Sequence, residues 1–138
     1  MRLVLGLAIL FTYLVMIWGG VVRSTDSGLA CPSWPLCYGD FSPPKDISAK
    51  LEMGHRAISS FAGLFVFLTF IYVWKHFKGL PRFTSALALL FTVSAALTGM
   101  KMITSEAPSL KYASHMLLES FHIYESMLIL GSLVLTYR

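Results

Sequence analysis

Not one Asp, Glu, Lys or Arg lies between Leu3 and Val22, between Ala57 and Trp74, or between Phe83 and Met100, and Tyr112 to Tyr137 holds only Glu119 and Glu125. Charged residues make up 13% of the 138-residue chain against 56% hydrophobic ones, and the mean hydropathy is +0.68. A soluble domain interleaves charge along every element, so this clustering excludes one and reads as a membrane protein. Each run is close to the roughly 20 residues that cross a bilayer as a helix. The first run ends on Trp18-Gly19-Gly20, with no small-x-small cleavage site, so it is expected to stay as a spanning helix and not to leave as a signal peptide. Cysteine is equally scarce: Cys31 and Cys37 are the only two. A thiol-oxidising relay would need a second pair to pass electrons onward, so these two read as one structural or regulatory bridge. Carboxylates are missing from the first and third runs, which counts against a di-iron bundle, where every helix contributes one.

What is present arranges itself around those runs. Spans are expected at about 3–22, 52–75, 83–103 and 111–136, within a single domain over residues 1–138. The segment Lys75 to Arg82 has Lys75, Lys78 and Arg82 and no acid, and Arg2 and Arg138 fall on its side, which makes that side cytoplasmic. On the other side Arg23, Lys45, Lys50, Arg56, Lys101 and Lys111 are diluted by Asp26, Asp40, Asp46, Glu52 and Glu106. Cys31 and Cys37 both fall on that side, where an oxidising exoplasmic environment suits a disulfide. The expectation is a multi-pass cell-membrane protein with both termini cytoplasmic and the loop between helices 1 and 2 exoplasmic. The net charge of +4 is then explained by topology and needs no nucleic acid. That loop, Arg23 to Lys50, carries Pro32, Pro35, Pro43 and Pro44, which argues for an irregular cap. Short connections at Gly79-Leu80-Pro81 and Thr104 to Pro108 make tight antiparallel hairpins. The fold class follows: an all-α integral membrane protein, a four-transmembrane-helix antiparallel bundle with a disulfide-bearing outer loop. Small residues on helix 3, including Ser85, Ala88, Ser94, Ala95 and Gly99, would serve either its neighbours or another copy of the chain.

Ionisable residues at the membrane mouth and inside it carry the functional reading. Glu52-Met53-Gly54-His55-Arg56 sets an acid, an imidazole and a guanidinium at the start of the second run. Glu52 and His55 share a helix face, and Arg56 can neutralise Glu52. On helix 4, His115, Glu119, His122 and Ser126 draw one polar stripe. His55 and His115 stand at similar distances from the outer starts of their helices. Two imidazoles at one level are what a haem iron takes as axial ligands, although interhelical hydrogen bonds are the plainer alternative. His122 lies roughly 10 Å deeper at 1.5 Å per residue. It suits a proton path, a porphyrin contact, or pairing with Glu119 or Glu125. His76 reads as a solvated surface residue. These residues alone leave open a b-type cytochrome electron carrier or a haem-binding assembly protein.

The stretch from Gly19 to Cys37, with its glycines, Val22-Arg23, Thr25-Asp26-Ser27-Gly28 and Cys31-Pro32-Ser33-Trp34-Pro35-Leu36-Cys37 in order, resembles the first outer loop of the haem A synthases. Glu52-x-x-His55-Arg56 and His115 in Ala113-Ser114-His115-Met116-Leu117-Leu118 extend the resemblance over nearly the whole chain. The family has eight helices in two similar halves, so the chain resembles a compact, four-helix member. The resemblance implies an enzyme that oxidises the C8 methyl of haem O to the formyl of haem A for terminal oxidases. It further implies a haem cofactor, whether haem b or the substrate haem O and product haem A, with its iron ligated by His55 and His115 and with Glu52 catalytic. By the same resemblance Cys31 and Cys37 hold the loop over the haem edge, Trp34 forms a lid, and Arg23 meets a propionate. Implied partners are an electron donor, a haem O synthase, and further copies of the chain that replace the missing half, as a symmetric dimer before a trimer.

Overall fold

The computed structural model describes residues 2–41, 45–104 and 111–137, and within them every side chain except those of Thr104 and residues 111–115. Four helices account for most of it: α1 (Arg2–Ser24), α2 (Ile47–His76), α3 (Leu80–Thr104) and α4 (Lys111–Tyr137). All four are long and apolar enough to cross a membrane, since at 1.5 Å per residue each exceeds the ~30 Å hydrocarbon layer. Among the described residues the only β-type pairing is an isolated bridge between Cys37 and Asp40.

The helix ends follow from local chemistry. Asp46 caps α2, its carboxylate accepting from the Ala49 N–H at 3.1 Å, which satisfies a donor that the first turn leaves free. The helix therefore begins at Ile47 and not near residue 52, which puts Glu52 in its second turn. At the far end the Phe77 N–H closes on the Val73 carbonyl at 2.9 Å and Phe77 is extended. Gly79 then takes φ +69, a left-handed conformation that a side chain would strain. Pro81 enters α3 in its first turn, where a missing N–H leaves nothing unpaired.

The helices form a closed square. Each packs on its neighbour in the chain and α1 closes on α4, while among the described residues the diagonal pairs α1/α3 and α2/α4 do not pack. Leu5, Ala8, Val66, Ala88, Ala95, Ile129 and Leu133 make the core, with Phe65 and Phe91 against it. Ser85, Ala88 and Ala95 of α3 are buried, so these small residues serve contacts inside the bundle, where apolar surfaces have no hydrophobic drive to associate and close approach counts. The Thr84 and Thr136 hydroxyls meet at 2.8 Å between α3 and α4. Other hydroxyls, among them Thr12, Ser59 and Thr92, turn back onto the carbonyl four residues earlier, which removes their need for water. Leu10, Leu14, Phe61, Leu64, Leu90 and Leu128 point outward.

Candidate functional site

Beyond α1 the chain turns through Asp26 at φ 50, and the Ser27 N–H returns to the Val22 carbonyl at 2.9 Å. The loop then closes on itself through a Cys31–Cys37 disulfide, both sulfurs buried against Ala49 of α2. An irregular loop leaves carbonyls without partners, and here one guanidinium collects them. Arg56 donates from Nη1 to Ser33 O at 2.6 Å, Leu36 O at 3.0 Å and Pro35 O at 3.2 Å, and from Nη2 to Cys31 O at 3.1 Å. Nη2 also donates to Glu52 Oε1. Glu52, 3% exposed, uses its other oxygen to accept the Cys31 N–H at 2.8 Å. Both carboxylate oxygens are therefore engaged in clasping the disulfide loop to α2. Trp34 at the loop's tip is 44% exposed.

One turn further along, α1 and α2 interlock through two large-on-small contacts. The Trp18 indole lies over Gly54, within 3.2 Å of where a Cβ would stand, and donates from Nε1 to the Leu51 carbonyl at 2.9 Å. In the reverse sense the His55 ring lies over Gly19, its Cε1 3.2 Å from a Cβ position there. The same device recurs in the other hairpin, where His122 of α4 lies over Gly99 of α3 at 3.6 Å. Gly19 and Gly99 each stand five residues short of the loop-side ends of their helices, Ser24 and Thr104. The two imidazoles occupy diagonal helices, α2 and α4. Nδ1 of each is buried with no hydrogen-bond partner.

The side chain of His115, which the sequence pairs with His55, lies outside the described residues. Arg23, 50% exposed, stands 3.5 Å from Glu119 and ties α1 to α4 near the disulfide end. Glu125 is 2% exposed and accepts from the Ser94 hydroxyl. Its second oxygen stands 4.0 Å from His122 Nδ1. Sequence reasoning did not single out Arg56 as the loop's anchor, nor Ser94, Trp18 and the facing glycines. Trp18-Gly19 and Gly54-His55, each a large and a small residue in opposite order, were the readable sign of the interlock.

These donors fit a haem. Among the described residues no group of three or more His, Cys, Asp or Glu gathers to hold a bare ion. Two imidazoles are what a macrocycle that supplies the other four iron ligands takes, and Nδ1 of His55 and Nδ1 of His122 lack partners in the protein. A groove of about 550 Å³ along Met16, Met127, Leu130 and Gly131 on the α1/α4 side is lined by neither imidazole.

Four helices able to span a membrane, with Nδ1 of His55 and of His122 buried between them, define a polytopic membrane protein with imidazoles in its interior. Comparison with known proteins makes this specific. The COX15-CtaA family model, described as "Cytochrome oxidase assembly protein", matches residues 2–50. A heme A synthase of Bacillus licheniformis is 31% identical over 116 residues, 80% of this chain and 38% of that protein. One of Bacillus cereus is 41% identical over 91 residues, 62% of this chain and 29% of that protein. A protoheme IX farnesyltransferase of Thermus thermophilus is 33% identical over 136 residues, 93% of this chain and 22% of that protein. The chain spans well under half the length of these curated relatives, and no solved structure matches it. Along the portion it spans, the chain is similar to the haem A synthases.

Proposed function

We propose that the chain is a haem-binding, catalytic four-helix half of a haem A synthase, oxidising the C8 methyl of haem O to the formyl of haem A for terminal oxidase assembly. The observation that carries this is the buried His55, its Nδ1 without a partner one turn from the clasp on the disulfide loop, in a chain whose relatives include proteins named heme A synthase. When bound, the haem iron supplies the oxidising power for the C–H bond. The chain's own residues would hold the macrocycle and keep water out: His55 and His115, the pair assigned from the sequence, would hold the iron, His122 would contact the porphyrin deeper in the bundle, Gly19 and Gly99 let the His55 and His122 rings seat against the helices, and the disulfide loop covers the end of the bundle. Arg23, engaged with Glu119, and Trp34 at the loop tip are placed at the site's rim.

Glu52, assigned to catalysis from the sequence, reads from this geometry as a positioning residue, because both its oxygens are engaged by Cys31 and Arg56. The two roles separate cleanly. If it positions the loop, Glu52→Gln and Arg56→Met both release the loop, seen as faster reduction and alkylation of Cys31 and Cys37, and both lose conversion together. If it reacts, Glu52→Gln loses conversion with the loop unchanged.

The other four-helix half of the site is supplied either by the same polypeptide or by a second copy of the chain, a symmetric pair being the simplest replacement for two similar halves. The disulfide loop faces the exoplasm and both helix hairpins return their basic ends, Lys75, Lys78 and Arg82, to the cytoplasm. Haem O comes from a haem O synthase, a partner supported by the similarity to a protein named for protohaem farnesylation. Pigment extracted from protein purified in nanodiscs and resolved into haems B, O and A tests the proposal. Haem O and haem A are expected, with the low-spin absorbance lost in His55→Ala and His115→Ala. A preparation free of porphyrin overturns it, and haem B alone points to an electron-carrying cytochrome.

A further inference from the structure

The end of the bundle opposite the disulfide loop carries charge of one sign. No Asp or Glu occurs from Met1 to Thr25, from Ala57 to Ser105 or from Ser126 to Arg138, so every helix is free of carboxylates along its half at that end. The turn between α2 and α3 there holds Lys75, Lys78 and Arg82, and Arg2 opens α1 at the same end. Lys75 and Lys78 are exposed.

The turn is built to hold these cations in place. Gly79, at φ +69, reverses the chain, and Arg82 reaches back across the reversal. Its guanidinium lies over the Trp74 ring, 4.7 Å from the centroid, and Nη2 donates to the Trp74 carbonyl, one of the acceptors that the last turn of a helix leaves open. Arg82 Nε is left with no acceptor among the described residues. On the other flank His76 stacks on Tyr72 at 4.3 Å, with Nδ1 at 2.8 Å from the Tyr72 carbonyl, and Phe77 packs towards the same ring. Around the cations Trp74, Leu80 and Phe83 are exposed. Aromatic rings flanked by cations at the end of a spanning helix sit at the level of lipid headgroups, so the anion within reach of Lys75 and Lys78 is a phosphate of the bilayer itself.

We infer that the α2/α3 turn is a binding site for the phosphate of an anionic phospholipid, with Lys75 and Lys78 as its charge contacts and the Arg82–Trp74 stack as the platform that presents them. The site goes beyond the haem reading and does not depend on it. Lysines that served only to orient the helices during insertion would show no preference among headgroups afterwards.

Native mass spectrometry and thermal melts of the purified full chain test this, with phosphatidylglycerol, phosphatidylcholine or inorganic phosphate added. Phosphatidylglycerol is expected to stay bound and to raise the melting temperature, and the other two are not. Lys75→Gln/Lys78→Gln should weaken phosphatidylglycerol binding by about 5-fold for each lysine removed. Lys45→Gln/Lys50→Gln removes the same charge at the disulfide end and should leave binding at the wild-type level. Equal weakening in the two double variants overturns the inference, as does phosphatidylcholine bound as tightly as phosphatidylglycerol. Displacement of the lipid by inorganic phosphate, or by polyglutamate as a stand-in for an acidic protein, overturns it too. If Lys75→Gln/Lys78→Gln fails to insert, wild-type protein with ¹⁵N-lysine decides: phosphatidylglycerol that shifts the Lys75 and Lys78 ammonium signals supports the site, and unshifted signals overturn it.

Discussion

Glycine and arginine decide the site at the scale of single residues, although neither carries the chemistry. A methyl at Gly19 would meet His55 Cε1 at 3.2 Å, whereas Gly20 has nothing within 4 Å. Gly19→Ala is therefore expected to push the imidazole by a few tenths of an ångström and to destabilise the haem-loaded protein by about 1–3 kcal/mol, the range for overpacking. Gly20→Ala should be neutral or slightly stabilising, because alanine is the better helix former. Thermal melts followed at the haem absorbance separate the two. Arg56 and Glu52 form a buried pair, with side chains 12% and 5% exposed. Arg56→Ala strands a carboxylate and four loop carbonyls at once, and a loss of about 3–5 kcal/mol is expected in detergent unfolding. Arg56→Lys should recover little, since an ammonium cannot span the positions that the guanidinium fork reaches. The double variant with Glu52→Ala should be less unstable than the sum of the singles, because no charge is left unpaired.

Helix pairs are the next scale, and here packing in a membrane rests on shape and hydroxyls more than on apolar burial. Trp18 and His55 seat on Gly54 and Gly19 to join α1 to α2, and the Thr84–Thr136 pair joins α3 to α4 at the opposite end from the loop. A double-mutant cycle of Thr84→Val and Thr136→Val should give a coupling near 0.6 kcal/mol, the average for such bonds between spanning helices. A coupling indistinguishable from zero would show that each hydroxyl is satisfied by its own helix, as Thr136 already partly is through the Ser132 carbonyl. The start of α2 has a larger consequence than its length implies. Capping by Asp46 begins the helix at Ile47, ten residues before the uncharged run starts at Ala57, which is about 15 Å of axial rise. Asp46→Ala, expected to cost about 1 kcal/mol as a lost cap, should also loosen the loop clasp just beyond it, a combination that hydrogen exchange at Ala49 and Leu51 reports.

For the molecule as a whole, the disulfide and the Arg56 clasp are two independent fastenings of one loop. Closing so short a loop contributes about 2 kcal/mol through chain entropy. The Cys31→Ser/Cys37→Ser variant is therefore expected to lose less stability than Arg56→Ala and to keep its loop seated, which limited proteolysis of the loop measures. Loop cleavage as fast as in Arg56→Ala would show that the bridge, not the guanidinium, carries the attachment. Four helices in a square leave the interior reachable along the diagonal, and it is on that diagonal that His55 and His122 stand.

Spans, hairpins and a cysteine-clasped cap were legible in the linear chain because a bilayer acts on composition: its thickness sets the length of an uncharged run, and any charge within one is visible at once. The candidate ligand His55 and the importance of Glu52 were legible for the same reason, as polar groups at an apolar boundary. What Glu52 and Glu125 contact was not. Those answers depend on where a capped helix begins, how each helix is rotated and where the carbonyls of an irregular loop point. Such properties arise only when the backbone packs, so the partners of both buried carboxylates were settled by tertiary structure.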